Sequence, residues 1–358
     1  MMEESRGNAR KLTAIIPDVR RFNGTDFVTG LRAIAALLVL SIHTGGLGLR
    51  TLAWWGSAVA DLGRTGVYIF FVISGFSLAS ALKKKTYEPR EFMLRRIARI
   101  VPLYYFWITC AYIWRLVSSE ENLEFWNLVT HLVFLEFLVP KYSNSILSVE
   151  WSIPVEIFWY CLFPGVLAFM RRFGSGKVVL IALLGSWFII GLGAVYASPD
   201  LALALNHSPA PYSFCFALGA YGFEVRQRRN EWRFGKLYAT TLIAAVLVQN
   251  FLSRVAVPEV ILISIATFFL LTNLSDGPRI SSRFLCSKIL LRVGVLSYGI
   301  YLSHMLVMGW IQYFLGPQTP TVLFATTFLC SALISHFLYA VIEVPSKRFF
   351  LRRARLLI

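Results

Sequence analysis

The sequence predicts an all-α protein, a polytopic bundle of about ten transmembrane helices with both termini in the cytoplasm. Of its 358 residues, 57% are hydrophobic and only 15% are charged, and the mean hydropathy is +0.63. This composition leaves too little polar surface for a water-soluble globule of the same size. Windows of ~20 mostly apolar residues, the length that crosses a bilayer, recur from Leu31 to Val344. We therefore expect one membrane domain to fill most of the chain.

Ten apolar windows define the predicted spans. Residues 1–28 are expected to form a cytoplasmic N-terminal tail, residues 29–345 the membrane domain, and residues 346–358 a basic cytoplasmic tail. Each span ends where an apolar window gives way to polar residues. The predicted bounds are 31–49, 66–82, 100–117, 150–170, 178–197, 210–225, 237–253, 257–273, 290–313 and 320–343.

The distribution of lysine and arginine supports this count. Cytoplasmic loops of membrane proteins are enriched in these residues. Numbering the connections alternately places 29 of the 35 on one side and five on the other, with Arg32 at the start of the first span. Both termini lie on the basic side, which we predict to be cytoplasmic. Topology thus accounts for the net charge of +16, and we expect no nucleic-acid partner.

The segment 122–140 is apolar enough to suggest an eleventh span. Counting it would invert every later loop and remove the charge asymmetry. We therefore predict that residues 118–149 form a non-cytoplasmic loop containing an interfacial or re-entrant helix. His131 and Glu136 lie in this loop.

Titratable side chains inside apolar spans are costly, and for that reason they indicate function. Arg32 and His43 lie eleven residues apart in the first span, which is about three helical turns. They share one face, with Ala36 and Val39 between them, and both can point into the bundle. The alternative is a snorkelling arginine and a hydrogen-bonded core histidine.

The fourth span carries a second polar face. Ser152, Glu156 and Tyr160 are spaced at i, i+4 and i+8, and Pro154 is compatible with a helix there because it falls in the first turn. Glu156 is a candidate catalytic carboxylate. A structural carboxylate bonded to a neighbouring aromatic side chain is an equal alternative.

The last two spans also contain histidines. Ser297, Tyr301 and His304 are spaced at i, i+4 and i+7 in the ninth, and the tenth contains His336 and Glu343. A histidine beside hydroxyl groups can activate a hydroxyl, but such groups also join helices to one another. For both helices we favour the structural role and keep Ser152, Ser297, Tyr301 and His304 as secondary candidates.

The densest basic stretch follows the second span. Arg95, Arg96 and Arg99 open the third helix, with Arg95 and Arg99 on one face and Arg96 beside them. Guanidinium groups there can hold a phosphorylated ligand through paired hydrogen bonds. Retention of the loop beside anionic lipid is the alternative. It accounts for Lys83–Lys85 better than for the three arginines.

Six segments, in order along most of the chain, carry a family resemblance. They are GLRAIAALLVLSIH, GVYIFFVISGFSL, FMLRRIARIVPLYY, WSIPVEIFWY, LSYGIYLSH and IEVPSKRF. Together they resemble the acyltransferase 3 family of membrane O-acyltransferases, including its spacing of ten residues between a basic residue and a histidine. Two family carboxylates are replaced here, by Thr29 and Ile157.

The resemblance implies that an acyl group, usually acetyl, passes from its coenzyme A ester to a hydroxyl of a surface polysaccharide or related carbohydrate. It implies that His43 is the catalytic histidine, that Arg32 is its partner, and that Arg96 and Arg99 bind the donor. We expect a multi-pass protein of a bacterial cytoplasmic membrane, with acyl-coenzyme A as a donor substrate and no permanently bound cofactor. We expect no metal, since histidines and carboxylates lack a ligand spacing.

The expected chemistry is the activation of a hydroxyl by a histidine, and two functions other than acyl transfer are its rivals. A neutral imidazole is suited to withdrawing the proton of a sugar hydroxyl near pH 7. One rival is a transporter or flippase of a lipid-linked sugar, against which the missing internal repeat argues. A structural scaffold would leave the Arg32 and His43 pair without a purpose. An acyltransferase acting on a small molecule stays an alternative.

Overall fold

The structure is a computed structural model of the chain. It describes residues 26–52, 56–83, 89–118, 124–196, 198–228, 235–252, 257–274 and 280–356. Within these residues the chain is almost wholly helical and contains no β-strand. The all-α class predicted from the sequence is therefore confirmed. Residues 1–25 of the predicted N-terminal tail lie outside the described residues, as do Lys84 and Lys85.

Ten helices of the described chain overlap the ten predicted spans. They are α1 Asp26–His43, α2 Gly66–Lys83, α3 Pro89–Ser118, α4 Ser152–Phe173, α5 Ser175–Tyr196, α6 Ser213–Gln227, α7 Gly235–Leu252, α8 Glu259–Asn273, α9 Lys288–Leu315 and α10 Pro320–Leu338. A π-helical turn, Tyr339–Glu343, joins α10 to a last helix, Val344–Leu356.

Shorter helical elements form the connections. The short α-helices are Leu49–Leu52, Gly56–Asp61, Phe125–Leu132, Pro199–Asn206 and Ile280–Leu285. Single 3₁₀ turns are Gly46–Gly48, Leu62–Thr65, Glu136–Leu138, Pro140–Tyr142 and Ala210–Tyr212.

Eight helical stretches in the described part of the chain are long and apolar enough to cross a membrane. They include all of the long helices except α6 and α8, which have 15 residues each. A helix of that length rises about 22 Å, which is less than the ~30 Å thickness of a bilayer core. The protein is thus a multi-pass helix bundle, as predicted. The number ten and the side on which each terminus lies stay predictions.

Close packing of α2 against α6 fixes the centre of the bundle. A Cβ atom built on Gly75 would lie 2.3 Å from the carbonyl oxygen of Phe216, and one built on Gly219 would lie 2.1 Å from that of Val72. Only glycine permits this approach of the two backbones, which is typical of helix packing in membranes. Since α2 also carries Phe70 and Ser74, the contact helps to position the site described below.

The third helix begins eleven residues before its predicted span, at Pro89. Proline is favourable at a helix start because its missing N–H would have no partner there. The apolar window used for prediction marks the lipid-facing part of a helix, whereas backbone hydrogen bonds extend the helix into the basic segment. Arg95, Arg96 and Arg99 therefore lie within α3.

The segment predicted as a loop contains the short helix Phe125–Leu132. Eight residues rise about 12 Å, so this helix cannot span a bilayer. Phe125 and Trp126 are exposed, whereas Asn127 and His131 are buried. The helix thus turns a polar edge toward the protein and an aromatic edge outward. Its side of the membrane stays a prediction.

Candidate active site

A cavity lies between α1, α2, α3, α4 and α9. Its space is about 570 Å³, including the part open to the outside. Eight residues singled out in the sequence line it, which are Arg32, Arg96, Arg99, Ser152, Glu156, Tyr160, Ser297 and Tyr301. We call it the arginine cavity, after Arg32, Arg96 and Arg99.

The charge of the arginine cavity is predominantly positive, since three guanidinium groups face one carboxylate, Glu156. Arg32 donates a long hydrogen bond of 3.4 Å to Ser77. The guanidinium carbon of Arg96 lies 5.5 Å from the ring centre of Phe92 and 5.4 Å from that of Tyr160. Stacking on aromatic faces orients a guanidinium and leaves the N–H groups at its edge free to bind a ligand. The cavity is therefore suited to an anionic ligand.

Glu156 is held by two hydroxyl groups. Ser74 donates to one carboxylate oxygen at 2.5 Å, and Tyr160 donates to the other at 3.0 Å. Both oxygens are thus engaged, and the side chain is fixed beside the arginines. This geometry suits a carboxylate that orients the arginines or a ligand.

Arg95 points away from this set. It donates two hydrogen bonds to Glu91, at 3.0 Å and 2.6 Å, within the same helix, and it is absent from the described lining of the arginine cavity. Side chains at positions 95 and 99 share a face of α3. Arg99 reaches the cavity, whereas Arg95, one turn nearer the start of the helix, is bonded to Glu91. The structure thus separates Arg95 from the other two predicted donor-binding arginines.

Tyr301 lines the arginine cavity on α9. Its hydroxyl lies 2.7 Å from the carbonyl oxygen of Val149 and 2.8 Å from Ser152 Oγ. A carbonyl oxygen only accepts, so Tyr301 donates to Val149 and accepts from Ser152. The ring of Phe70 meets that of Tyr301 edge-on, with 6.1 Å between centres.

His43 and His304 form a pair behind Tyr301. His304 Nε2 lies 3.1 Å from His43 Nδ1, and His304 Nδ1 lies 2.6 Å from the carbonyl oxygen of Tyr301. The rings of Tyr301 and His304 are 6.0 Å apart. Neither histidine is among the described lining of the arginine cavity. We call these two residues the histidine pair, and it contacts Tyr301, which lines the cavity.

Glu150 and His131 were not predicted as a site from the sequence. Both side chains are 0% exposed, and His131 Nε2 lies 3.2 Å from a Glu150 oxygen. Glu150 also accepts hydrogen bonds from the backbone N–H groups of Ile146 and Val149. The pair orders the segment whose Val149 carbonyl holds Tyr301. A histidine and glutamates within an unusually apolar loop were the only sequence signal for it.

The protonation of this pair follows from its contacts. Burial lowers the pKa of His131, but the hydrogen bond and charge of Glu150 outweigh burial, so the pKa lies above its usual value. Burial raises the pKa of Glu150, but His131 and the backbone donors outweigh it, so that pKa lies below its usual value. Both shifts favour the charged forms, and the two residues form a buried ion pair.

His336 and Glu343 do not join the site. His336 is exposed on α10, and Glu343 accepts a hydrogen bond of 2.5 Å from Lys347 one turn away. The structure thus brings His304 to His43 and leaves His336 outside the site. The described residues contain no group of three or more His, Cys, Asp or Glu side chains that could hold a metal ion.

Comparison with known proteins assigns a family to this architecture. The model of the acyltransferase domain family matches residues 25–341. ORF330 of Acidianus two-tailed virus is 27% identical over 84% of this chain and 88% of its own length. The exopolysaccharide production protein ExoZ of Rhizobium meliloti is 28% identical over 82% of this chain and 91% of its own length.

A further relative is longer than this chain. The O-acetyltransferase OatA of Staphylococcus aureus is 24% identical over 89% of this chain, which spans 56% of that relative's length. No solved structure matches the chain.

Proposed function

Because the chain belongs to the acyltransferase domain family, we propose that it transfers an acetyl group from acetyl-coenzyme A to a hydroxyl of a carbohydrate. The observation that carries the proposal is the contact of the histidine pair with Tyr301, a residue that lines the arginine cavity. The cavity accounts for the anionic donor, and the histidine pair accounts for the chemistry.

The arginine cavity suits a coenzyme A thioester. Coenzyme A carries several phosphate charges, which Arg96 and Arg99 bind through charge-assisted hydrogen bonds. Its pantetheine arm is narrow and uncharged, so it passes between helices toward Tyr301. Arg32 lines the same cavity as Arg96 and Arg99, and it lies on α1, the helix that ends at His43.

His43 acts as the general base. The acceptor oxygen attacks the thioester carbonyl carbon while imidazole takes the hydroxyl proton, because an undissociated hydroxyl is a weak nucleophile. A carbon–oxygen bond forms, the carbon–sulfur bond breaks, and the proton passes from the imidazolium to the departing thiolate. Glu156 keeps the arginines oriented during transfer.

The relatives support a carbohydrate acceptor. OatA is named an O-acetyltransferase and ExoZ an exopolysaccharide production protein. By analogy we propose a surface or secreted polysaccharide, or its lipid-linked precursor, in the cytoplasmic membrane of a bacterium. A small-molecule acceptor and a transporter of lipid-linked sugar are the rivals that the experiment must exclude.

The test compares two histidine variants. We expect purified His43→Ala to lose transfer of radiolabelled acetyl from acetyl-coenzyme A by a hundredfold or more, the order of a lost general base. His336→Ala, an exposed position outside the site, should keep wild-type activity. Mass spectrometry of surface glycans from cells with and without the chain identifies the acceptor. Full activity of His43→Ala, or no acetyl transfer by the wild type, would overturn the proposal.

A further inference from the structure

We propose that His304 is a positioning residue, which holds His43 in the tautomer whose Nε2 atom is free to take the acceptor proton. This inference rests on the proposed function, because it requires His43 to act as the base. In this role His304 fixes the tautomer of His43, which is more than a contact that holds two helices together.

The first step is the protonation of His304. Its Nδ1 atom lies 2.6 Å from the carbonyl oxygen of Tyr301. A carbonyl oxygen can only accept, and two lone pairs at this distance would repel, so Nδ1 carries a hydrogen. A neutral imidazole has one N–H group. The Nε2 atom of His304 is therefore an acceptor.

The second step passes this constraint to His43. The acceptor Nε2 of His304 lies 3.1 Å from Nδ1 of His43. His43 must donate this hydrogen bond, so its own N–H is on Nδ1; the carbonyl oxygen of Val39, one turn earlier in α1, also contacts the His43 ring. In neutral His43 the lone pair is then on Nε2, because the hydrogen bond made by one ring nitrogen sets the state of the other.

The same contact persists during the reaction. When Nε2 of His43 takes a proton, the ring becomes an imidazolium that still donates from Nδ1 to His304. The bond to a charged donor is stronger than the bond to a neutral one. His304 therefore orients the base before proton transfer and stabilises it afterwards, which is the task of the third residue in hydrolase triads.

His304 itself is firmly held. It is only 1% exposed, and its anchor is a backbone carbonyl of its own helix. Gly299, on the same helix, packs so closely on α10 that a Cβ atom would lie 2.7 Å from Ser335 Oγ. A fixed partner restricts the ring of His43 more than a mobile one would.

Three substitutions test the inference. In His304→Gln the amide oxygen can reach the place of Nε2 and accept from His43. In His304→Asn the shorter amide cannot, and His304→Leu offers no acceptor. We expect kcat to fall by less than about tenfold in Gln but by about a hundredfold or more in Asn and Leu. The KM for acetyl-coenzyme A should stay within about twofold in all three, since the arginine cavity is unchanged.

The outcomes separate this inference from the proposed function. Thermal unfolding of each variant shows whether lost activity follows lost stability. Equal activity of the Gln and Asn variants at equal stability would overturn the positioning role. Full activity of His304→Leu with an inactive His43→Ala would overturn it too, yet leave the proposed function standing. Nitrogen-15 NMR of histidine-labelled protein gives a direct readout, and a His43 signal protonated only at Nε2 would contradict the assignment.

Discussion

At the scale of the residue, the three arginines of α3 have different surroundings. Arg96 and Arg99 line the cavity, whereas Arg95 is paired with Glu91. Because of this difference, the same substitution at the three positions can be compared, with Arg95 as the control. Each one removes a single positive charge from the same helix, so unspecific effects of charge cancel.

We expect Arg96→Gln and Arg99→Gln each to raise the KM for acetyl-coenzyme A by about tenfold or more. The reason is the loss of a hydrogen bond to a charged phosphate, which is worth about 1.5–3 kcal/mol. The measurement is a titration of acetyl-coenzyme A in the transfer assay. Arg95→Gln is the matched control and should change KM by less than about twofold. A larger effect of Arg95→Gln than of the other two would place the donor outside the cavity.

Helical spacing predicted part of this site and could not predict the rest. Ser152, Glu156 and Tyr160 line one cavity, as their spacing on one helix face indicates. The contact of His43 with His304 joins residues 261 positions apart. Periodicity along one helix says which side chains share a face, but it says nothing about which helix lies opposite. That information comes only from packing.

At the scale of the element, the crossing of α2 and α6 sets the geometry of one cavity wall. Alanine normally stabilises a helix by about 0.5–1 kcal/mol relative to glycine. At Gly219 the added Cβ would lie 2.1 Å from a backbone oxygen, and the two helices must separate.

We therefore expect Gly219→Ala to lower the melting temperature in detergent by several degrees, since overpacking costs about 1–3 kcal/mol. Gly185→Ala in α5 is the control, because no atom lies within 4 Å of a Cβ built there. It should leave the melting temperature unchanged or raise it slightly. Equal effects at both positions would show that the close crossing contributes little.

The loop between α3 and α4 makes a prediction about pH. Burial raises the pKa of Glu136 to about 8, and within the described residues its Oε2 atom has no hydrogen-bond partner. An acid whose pKa is raised on folding favours the folded state below its unfolded pKa of about 4.3. That contribution is lost as the pH rises toward about 8.

Glu136→Gln stays neutral at every pH. Its melting temperature relative to the wild type should therefore rise steadily between about pH 5 and about pH 8 and then level off. Thermal unfolding in detergent across this range is the measurement. Glu124→Gln serves as the control, because Glu124 is half exposed and bonded to Lys141. A difference that stays constant with pH for Glu136→Gln would mean that this carboxyl is already ionised at the lower pH.

At the scale of the whole molecule, composition and apolar windows were enough to predict an all-α membrane bundle. In lipid the backbone groups must bond within a helix or a closed barrel, and apolar segments of ~20 residues have the length of a spanning helix. The folded segment between α3 and α4 was not predictable in the same way. Its order depends on Glu150 and His131, which neutralise each other in a buried place that no local pattern reveals.

Orientation in the membrane is the prediction on which donor access depends. The excess of basic residues predicts that the arginine cavity faces the cytoplasm, where acyl-coenzyme A is made. We expect Lys141→Cys to react with a membrane-impermeant maleimide in intact spheroplasts, and Arg352→Cys to react only after the membrane is permeabilised. Both positions are exposed, and the five native cysteines are first replaced by serine in an active background.

The reverse labelling pattern would invert the bundle and turn Arg96 and Arg99 away from the cytoplasmic pool of acyl-coenzyme A. Reaction of both cysteines in intact spheroplasts would instead place the two positions on one side of the membrane. The number of spans between them would then be even, not the predicted seven, and the two termini would lie on opposite sides. Only the predicted orientation turns the arginines of the cavity toward the side on which acyl-coenzyme A is produced. Labelling therefore tests the path of the acyl group as well as the topology.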